Sequence, residues 1–147
     1  MPEQKTREAA RKDKREGKSA STQAGEYVHD EIEHVREGKH GARSAKQAIA
    51  IGLSKARRAG VDLPPPEKGS KKTRKQAARD LRKGKKKSAK KSAKRSQATT
   101  RALQREGRSA ASKRALSRQA HSAASKRSAA ARSRSAKKAA QTRKKQS

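Results

Sequence analysis

Residues 38–66 read GKHGARSAKQAIAIGLSKARRAGVDLPPP, and the fold turns on them. Ser44-Ala45-Lys46-Gln47 is a capping box: the serine side chain caps the first turn and the glutamine three residues on reaches back, so a helix is predicted from Ala45. Ala45, Ala48, Ile49, Gly52, Leu53 and Ala56 fall on one stripe of that helix. Arg57 and Arg58 place cations in the last turn, against the negative end of the helix dipole. Gly60 supplies a left-handed cap, Val61 can fold back onto the last turn, and Pro64-Pro65-Pro66 stops the helix and stiffens its exit. Gly52 is small enough for another helix to approach closely.

The segment before it, STQAGEYVHDEIEHVREG at 21–38, supplies that partner. Ala24, Val28, Ile32 and Val35 make one helical stripe with Tyr27 beside it. Ser21 or Thr22 can cap, and Gly38 sits where a C-terminal glycine belongs. Two single-faced helices bury both stripes most simply as a hairpin joined by a Lys39–Arg43 loop. Such a hairpin is marginal, and a second copy of the chain or DNA would help to complete it. Residues 2–16 read as a solvated helix with Pro2 in the first turn. Its Glu3–Arg7 and Glu8–Lys12 pairs are worth only about 0.2–0.5 kcal/mol each, and Ala9 and Ala10 are its sole apolar residues.

Beyond Gly69 the chain is low-complexity. Thr73–Lys83, with Thr73-x-x-Gln76 as a second capping box, and Ser96–Glu106 read as short helices. Ser109–Lys145 has no glycine or proline, and SAASKR occurs in it twice, at 109–114 and 122–127. Alanine, arginine, lysine and glutamine are strong helix formers, so this part has helix propensity without a core. Composition limits the rest: the chain is 28% hydrophobic and 1% aromatic, with a net charge of +31 over 147 residues. Alanine buries little area, ordering each residue costs roughly 1–2 kcal/mol, and low hydrophobicity with high charge marks disorder. The predicted class is therefore mostly α, a small helical hairpin head followed by a largely disordered or conditionally helical basic tail. Its parts are 1–18 (solvated N-terminal helix), 19–63 (hairpin head), 64–72 (linker) and 73–147 (tail).

Charge divides unevenly. Residues 1–69 hold 15 Lys and Arg against 11 Asp and Glu, whereas 70–147 hold 29 against two, Asp80 and Glu106. Repulsion on that scale calls for a polyanion, and nucleic acid, DNA before RNA, is the predicted partner. Candidate phosphate contacts are Lys39, Arg43, Lys46, Lys55, Arg57 and Arg58 in the head. In the tail they are Lys71, Lys72, Arg74, Lys75, Lys85, Lys86, Lys87, Lys90, Lys91, Lys94, Arg95, Lys113, Arg114, Lys126, Arg127, Lys137 and Lys138. The near absence of aromatics argues against base stacking. A helix-turn-helix with Ala45–Ala59 as recognition helix and a plain hairpin with a charged face both fit the head, and Glu26, Asp30, Glu31, Glu33 and Glu37 could meet a partner.

Other classes lack their residues. With no cysteine, disulfides and thiolate metal sites are excluded. Asp30/His34 and His29/Glu33 are each spaced to share a metal, but two ligands fall short of the three or four that zinc takes, and His40 and His121 stand alone. No metal, cofactor or small-molecule substrate is expected, and no catalytic motif or pocket-forming core points to an enzyme. No apolar run approaches the roughly 20 residues of a membrane span, and the N-terminus has no signal-like apolar stretch. A cytoplasmic, nucleoid location follows. The predicted function is a sequence-nonspecific DNA-binding, nucleoid-associated protein that neutralises phosphates. Its rivals are an RNA- or ribosome-associated basic protein and a protein-interaction module with a localising basic tail.

Ser44–Gly60, SAKQAIAIGLSKARRAG, resembles the core of an uncharacterised bacterial family of small basic proteins, a domain of unknown function with an S-x-K-Q-A-I-A-I-x-L-S-x-A-R motif. The resemblance implies no catalytic residues. The tail is similar in composition to the Lys/Ala-rich arms of linker-histone-like bacterial proteins, which implies a DNA-coating role. It departs from them in lacking proline after Pro66 and in mixing arginine with lysine.

Overall fold

Serine hydroxyls start most of the helices. The computed structural model describes residues 4–86 and 92–146, and the described residues form seven α-helices and no strand. They are α1 (Gln4–Arg15), α2 (Ala20–Arg36), α3 (Ala45–Arg58), α4 (Lys71–Lys85), α5 (Ala93–Gln104), α6 (Lys113–Ser125) and α7 (Ala129–Gln146), with a 3-10 turn at Ser109–Ala111. Ser19, Ser44, Ser70 and Ser92 stand just before α2 to α5, and each accepts a hydrogen bond from the backbone N–H three residues on. Ser128 does the same for α7 through Ala131. A serine here satisfies a donor that the first turn leaves orphaned. The cap of α2 is Ser19, not Ser21 or Thr22.

The hairpin ends as its glycines require. Gly38 and Gly60 adopt φ of 78° and 102°, where a side chain would be strained. Gly38 N–H bonds to Val35 O and Lys39 N–H to His34 O; Gly60 N–H bonds to Arg57 O and Val61 N–H to Ala56 O. Both are the paired bonds of a Schellman cap. Val61 is thereby folded back into a cluster with Ala10, Ala24, Tyr27 and Ala56, flanked by Ala20, Leu53 and Leu63. α2 and α3 pack together where Gly52 meets Val28.

Chain folding divides into two units, Met1–Ser112 and Lys113–Ser147. In the first, α1 packs on α2 through the buried Thr6, Ala10 and Asp13, so it is not the purely solvated helix read from its composition. Its contact face is one small apolar residue and two short polar ones. α4 packs on α3. Its Ala77 and Asp80 are buried, and Gly84 lies so close to α3 that a Cβ there would overlap Arg57 O.

The chain also returns to the hairpin from far downstream. Gly41 N–H bonds to Leu103 O at 2.8 Å, Ala42 N–H to Gly107 O at 3.0 Å, and Arg36 Nε to Ala111 O at 2.9 Å. Ala110 and Ala111 close a second cluster with Val35, Ala42 and Ala48, edged by Ile32. The apolar faces that the hairpin alone leaves uncovered are thus closed within one chain, by α1, α4 and residues 110–111.

The expectation of a largely disordered tail is corrected: residues 92–146 are mostly helical. Alanine, arginine and lysine favour the helical backbone, and serines at 92 and 128 supply caps. In the second unit α6 and α7 bury no described residue, so their helicity is local in origin. No helix among the described residues is long and apolar enough to cross a membrane.

Candidate functional site

The sequence-predicted cations separate into two groups once their partners are known. Arg57 is buried, and its guanidinium donates to Leu63 O at 3.1 Å and Pro64 O at 3.2 Å, tying down the start of the proline run. Burial lowers its pKa from the ordinary arginine value, with Asp80 pulling the other way. Arg58 Nε bonds to Asp80 Oδ1 at 2.8 Å, and Asp80 also accepts from Ser54 Oγ and Gln76 Nε2. Lys55 Nζ lies 2.5 Å from Glu31 Oε2. These three head residues have partners inside the fold. Two buried carboxylates create the demand for Arg58 and Lys55: Asp80 of α4 is 1% exposed and Glu31 of α2 0%, and a buried carboxylate must be matched.

The other candidates face outward. Arg43 and Lys46 at the head of α3 are exposed, as is Lys39, which lies 3.3 Å from Glu37. Lys71, Lys72, Arg74, Lys75, Lys85 and Lys86 line the exposed side of α4, and Lys94 and Arg95 that of α5. Lys113, Arg114, Lys126, Arg127, Lys137 and Lys138 are exposed in the second unit. Lys87, Lys90 and Lys91 lie outside the described residues. One grouping was missed in the sequence: Arg79, Arg82, Lys83 and Lys86 line a shallow groove of about 300 Å³ at the end of α4. Their i, i+3, i+4, i+7 spacing is the signal that could have found them.

A second constellation sits at the C-terminal end of α2. Glu31 is fully buried, with Oε2 on Lys55 and Oε1 2.6 Å from His40 Nε2. That second contact lacks hydrogen-bond geometry, and both atoms are buried with no hydrogen-bond partner. His40 Nδ1 lies 2.9 Å from Gly41 O, and His34 Nε2 lies 3.3 Å from Asp30 Oδ1. The two imidazoles stand edge-on, 6.2 Å between centroids. Glu31, His34 and His40 each bring one donor atom within 4.8 Å of the others. Helical spacing had paired His34 with Asp30 on a solvated face and left His40 alone. In the structure His34 is buried, and the turn at Gly38 carries His40 back over the last turns of α2. Burial of Glu31 also removes it from any acidic docking surface. His29 stays exposed beside Glu33, as its position suggested.

No curated protein and no solved structure matches the chain significantly. The stretch from within α1 through α2, α3 and the proline run is nevertheless recognised: residues 8–68 match the model described as Family of unknown function (DUF6496).

Proposed function

We propose that the protein is a sequence-nonspecific DNA-binding, nucleoid-associated protein that acts by neutralising phosphates. One observation carries the reading. Residues 113–147 contain 12 Lys and Arg and no acidic residue, and neither helix of that segment buries a described side chain. Cations in this unit have no internal carboxylate to serve. A duplex offers one negative charge per about 1.7 Å of axis, and each cation that replaces a condensed counterion contributes a slope of about −0.9 in log K against log salt. The groove of Arg79, Arg82, Lys83 and Lys86 and the exposed Arg43 and Lys46 extend the same chemistry to the first unit. Base stacking has no support, since the chain's one tyrosine is buried and it has no phenylalanine or tryptophan. A nucleoid location goes with this reading.

Its test is a salt titration of the full chain, and of a chain ending at Ser112, on random-sequence duplex DNA. The full chain should lose about 10³–10⁵ in affinity between roughly 50 and 200 mM salt if it neutralises about 6–10 phosphates, and the shorter chain should show a shallower slope. Binding indifferent to salt, or equal slopes for the two chains, would overturn it. Competition by structured RNA at fixed salt decides between DNA and RNA as the polyanion.

A further inference from the structure

We propose that Glu31, His34 and His40 form a binding site for a divalent transition-metal ion of the zinc class. The starting point is a contact that the protein alone does not satisfy. Glu31 Oε1 and His40 Nε2 lie 2.6 Å apart, both buried, without a hydrogen bond between them or to any other group. Buried polar atoms almost always have a partner, so an exception marks a missing one. Hydrogen bonding at the far side of the His40 ring says what is missing. Nδ1 lies 2.9 Å from Gly41 O, a carbonyl that can only accept, so Nδ1 carries a proton, and in the neutral ring Nε2 then presents a lone pair. In the neutral ring that lone pair faces a carboxylate oxygen, a repulsion that a metal cation relieves by taking both as ligands.

The surroundings fit that role. An imidazole whose other nitrogen donates to a carbonyl or carboxylate is the usual support for a metal-bound histidine. His40 has Gly41 O in that position, and Asp30 lies beside the His34 ring. Lys55 holds Glu31 Oε2 and leaves Oε1 as a single ligand. Its positive charge opposes a cation, but it is partly exposed, and the carboxylate of Asp30, whose Oδ2 is buried without a partner, opposes it in turn. Two nitrogens and one oxygen suit zinc, cobalt or nickel better than magnesium or calcium, which prefer all-oxygen sets. Bonds of about 2.0–2.2 Å place tetrahedral ligands roughly 3.3 Å apart. The Glu31–His40 contact must therefore open slightly and the wider separations, up to 4.8 Å, must close. His40 lies in a short loop and can make that adjustment. A bound ion would pin that loop, and with it the strap at Leu103–Gly107.

The experiment uses the full chain after chelator treatment, titrated with zinc alone by calorimetry and followed by NMR of the four histidine side chains. One zinc per chain should bind, and the ring resonances of His34 and His40 should shift while those of His29 and His121 do not. His40→Asn and His34→Asn should each weaken binding by about tenfold or more; His29→Asn should leave it unchanged. No saturable uptake at about 100 μM zinc, a roughly −5 kcal/mol affinity floor, overturns the proposal. So does uptake that shifts His29 or His121 instead. The NMR result on the unmutated chain stands even if a variant fails to fold.

Discussion

Gly52 and Gly25 are both helical glycines, and replacing each by alanine should change stability in opposite directions. A Cβ at Gly52 would lie 2.6 Å from Val28 Cα and 3.0 Å from Val28 N. Those are backbone atoms, so no rotamer change relieves the overlap. α2 and α3 would have to part by about 0.8 Å to bring the closest pair from 2.6 Å to ordinary contact at 3.4 Å. The separation would loosen both small clusters at once, because Ala24, Tyr27 and Ala56 lie on one side of the crossing and Val35 and Ala48 on the other. Overpacking of this kind costs about 1–3 kcal/mol. Against it stands the gain of about 0.8–1 kcal/mol from removing glycine within a helix. Clash should win, for a net loss of up to about 2 kcal/mol. At Gly25, an exposed position of α2, a Cβ meets nothing within 4 Å, so only propensity acts and alanine should stabilise by about 0.5–1 kcal/mol. Urea unfolding followed by far-ultraviolet circular dichroism measures both. If Gly52→Ala is as stable as the unmutated chain, or Gly25→Ala costs as much as Gly52→Ala, the helix crossing described here is wrong.

Other outcomes follow from single groups. Asp80→Ala leaves Ser54 without its acceptor and frees Arg58, which is half-exposed and can turn to water. The loss should be about 1–3 kcal/mol, read as faster hydrogen exchange in α4 than in α2. Ending the chain at Lys86 rather than Ser112 removes the three long-range bonds from Arg36, Gly41 and Ala42 and the cover of Ala110 and Ala111. The shorter chain should be less stable by roughly 2–4 kcal/mol; equal urea midpoints would refute the strap. Burial holds the Tyr27 phenol above its ordinary 10.0, partly offset by Arg7 and Arg11. The neutral phenol therefore stabilises the fold below pH 10, and that stability is lost as pH climbs through the raised folded value. Tyr27→Phe should remove this alkaline loss, and identical profiles for the two proteins would contradict it. Lys137→Gln with Lys138→Gln should reduce the salt slope of DNA binding by about 1.8, whereas Arg57→Gln should lower stability and leave the slope alone.

What was legible in the sequence was local. Ser44, Gln47, Gly60 and Val61 act on backbone groups within five residues of themselves, so their roles could be read from spacing, and the 3.6-residue stripe gave the packed faces of α2 and α3. The packing of α1 was not legible because Thr6, Ala10 and Asp13 carry too little apolar area to mark a buried face. The strap from Leu103 to Ala111 depends on backbone bonds to Gly41 and Ala42 and on two alanines, and neither has a sequence-specific signature. His40 escaped for a related reason. Helical spacing relates Asp30 to His34 and His29 to Glu33, but His40 reaches Glu31 only because Gly38 reverses the chain.

Acid placement sorts the cations into those the fold uses and those it leaves. Asp80 and Glu31 are buried, so Arg58 and Lys55 cannot leave them for a phosphate without uncovering a carboxylate in the interior. Surface pairs such as Lys39–Glu37 and Lys12–Glu16 are different. They contribute about 0–1 kcal/mol, and a phosphate can compete for their cations. After Glu106 the sequence has no acidic side chain, so the later cations have no carboxylate side chain among them to answer, and Arg127 and Arg143 donate instead to nearby backbone carbonyls. A phosphate polymer relieves their mutual repulsion without uncovering a carboxylate. On the proposed reading, a net charge of +31 overstates what the hairpin offers to phosphate and describes the chain beyond it well. That difference is why removing residues 113–147 should flatten the salt dependence while the hairpin, its buried carboxylates still matched, stays folded.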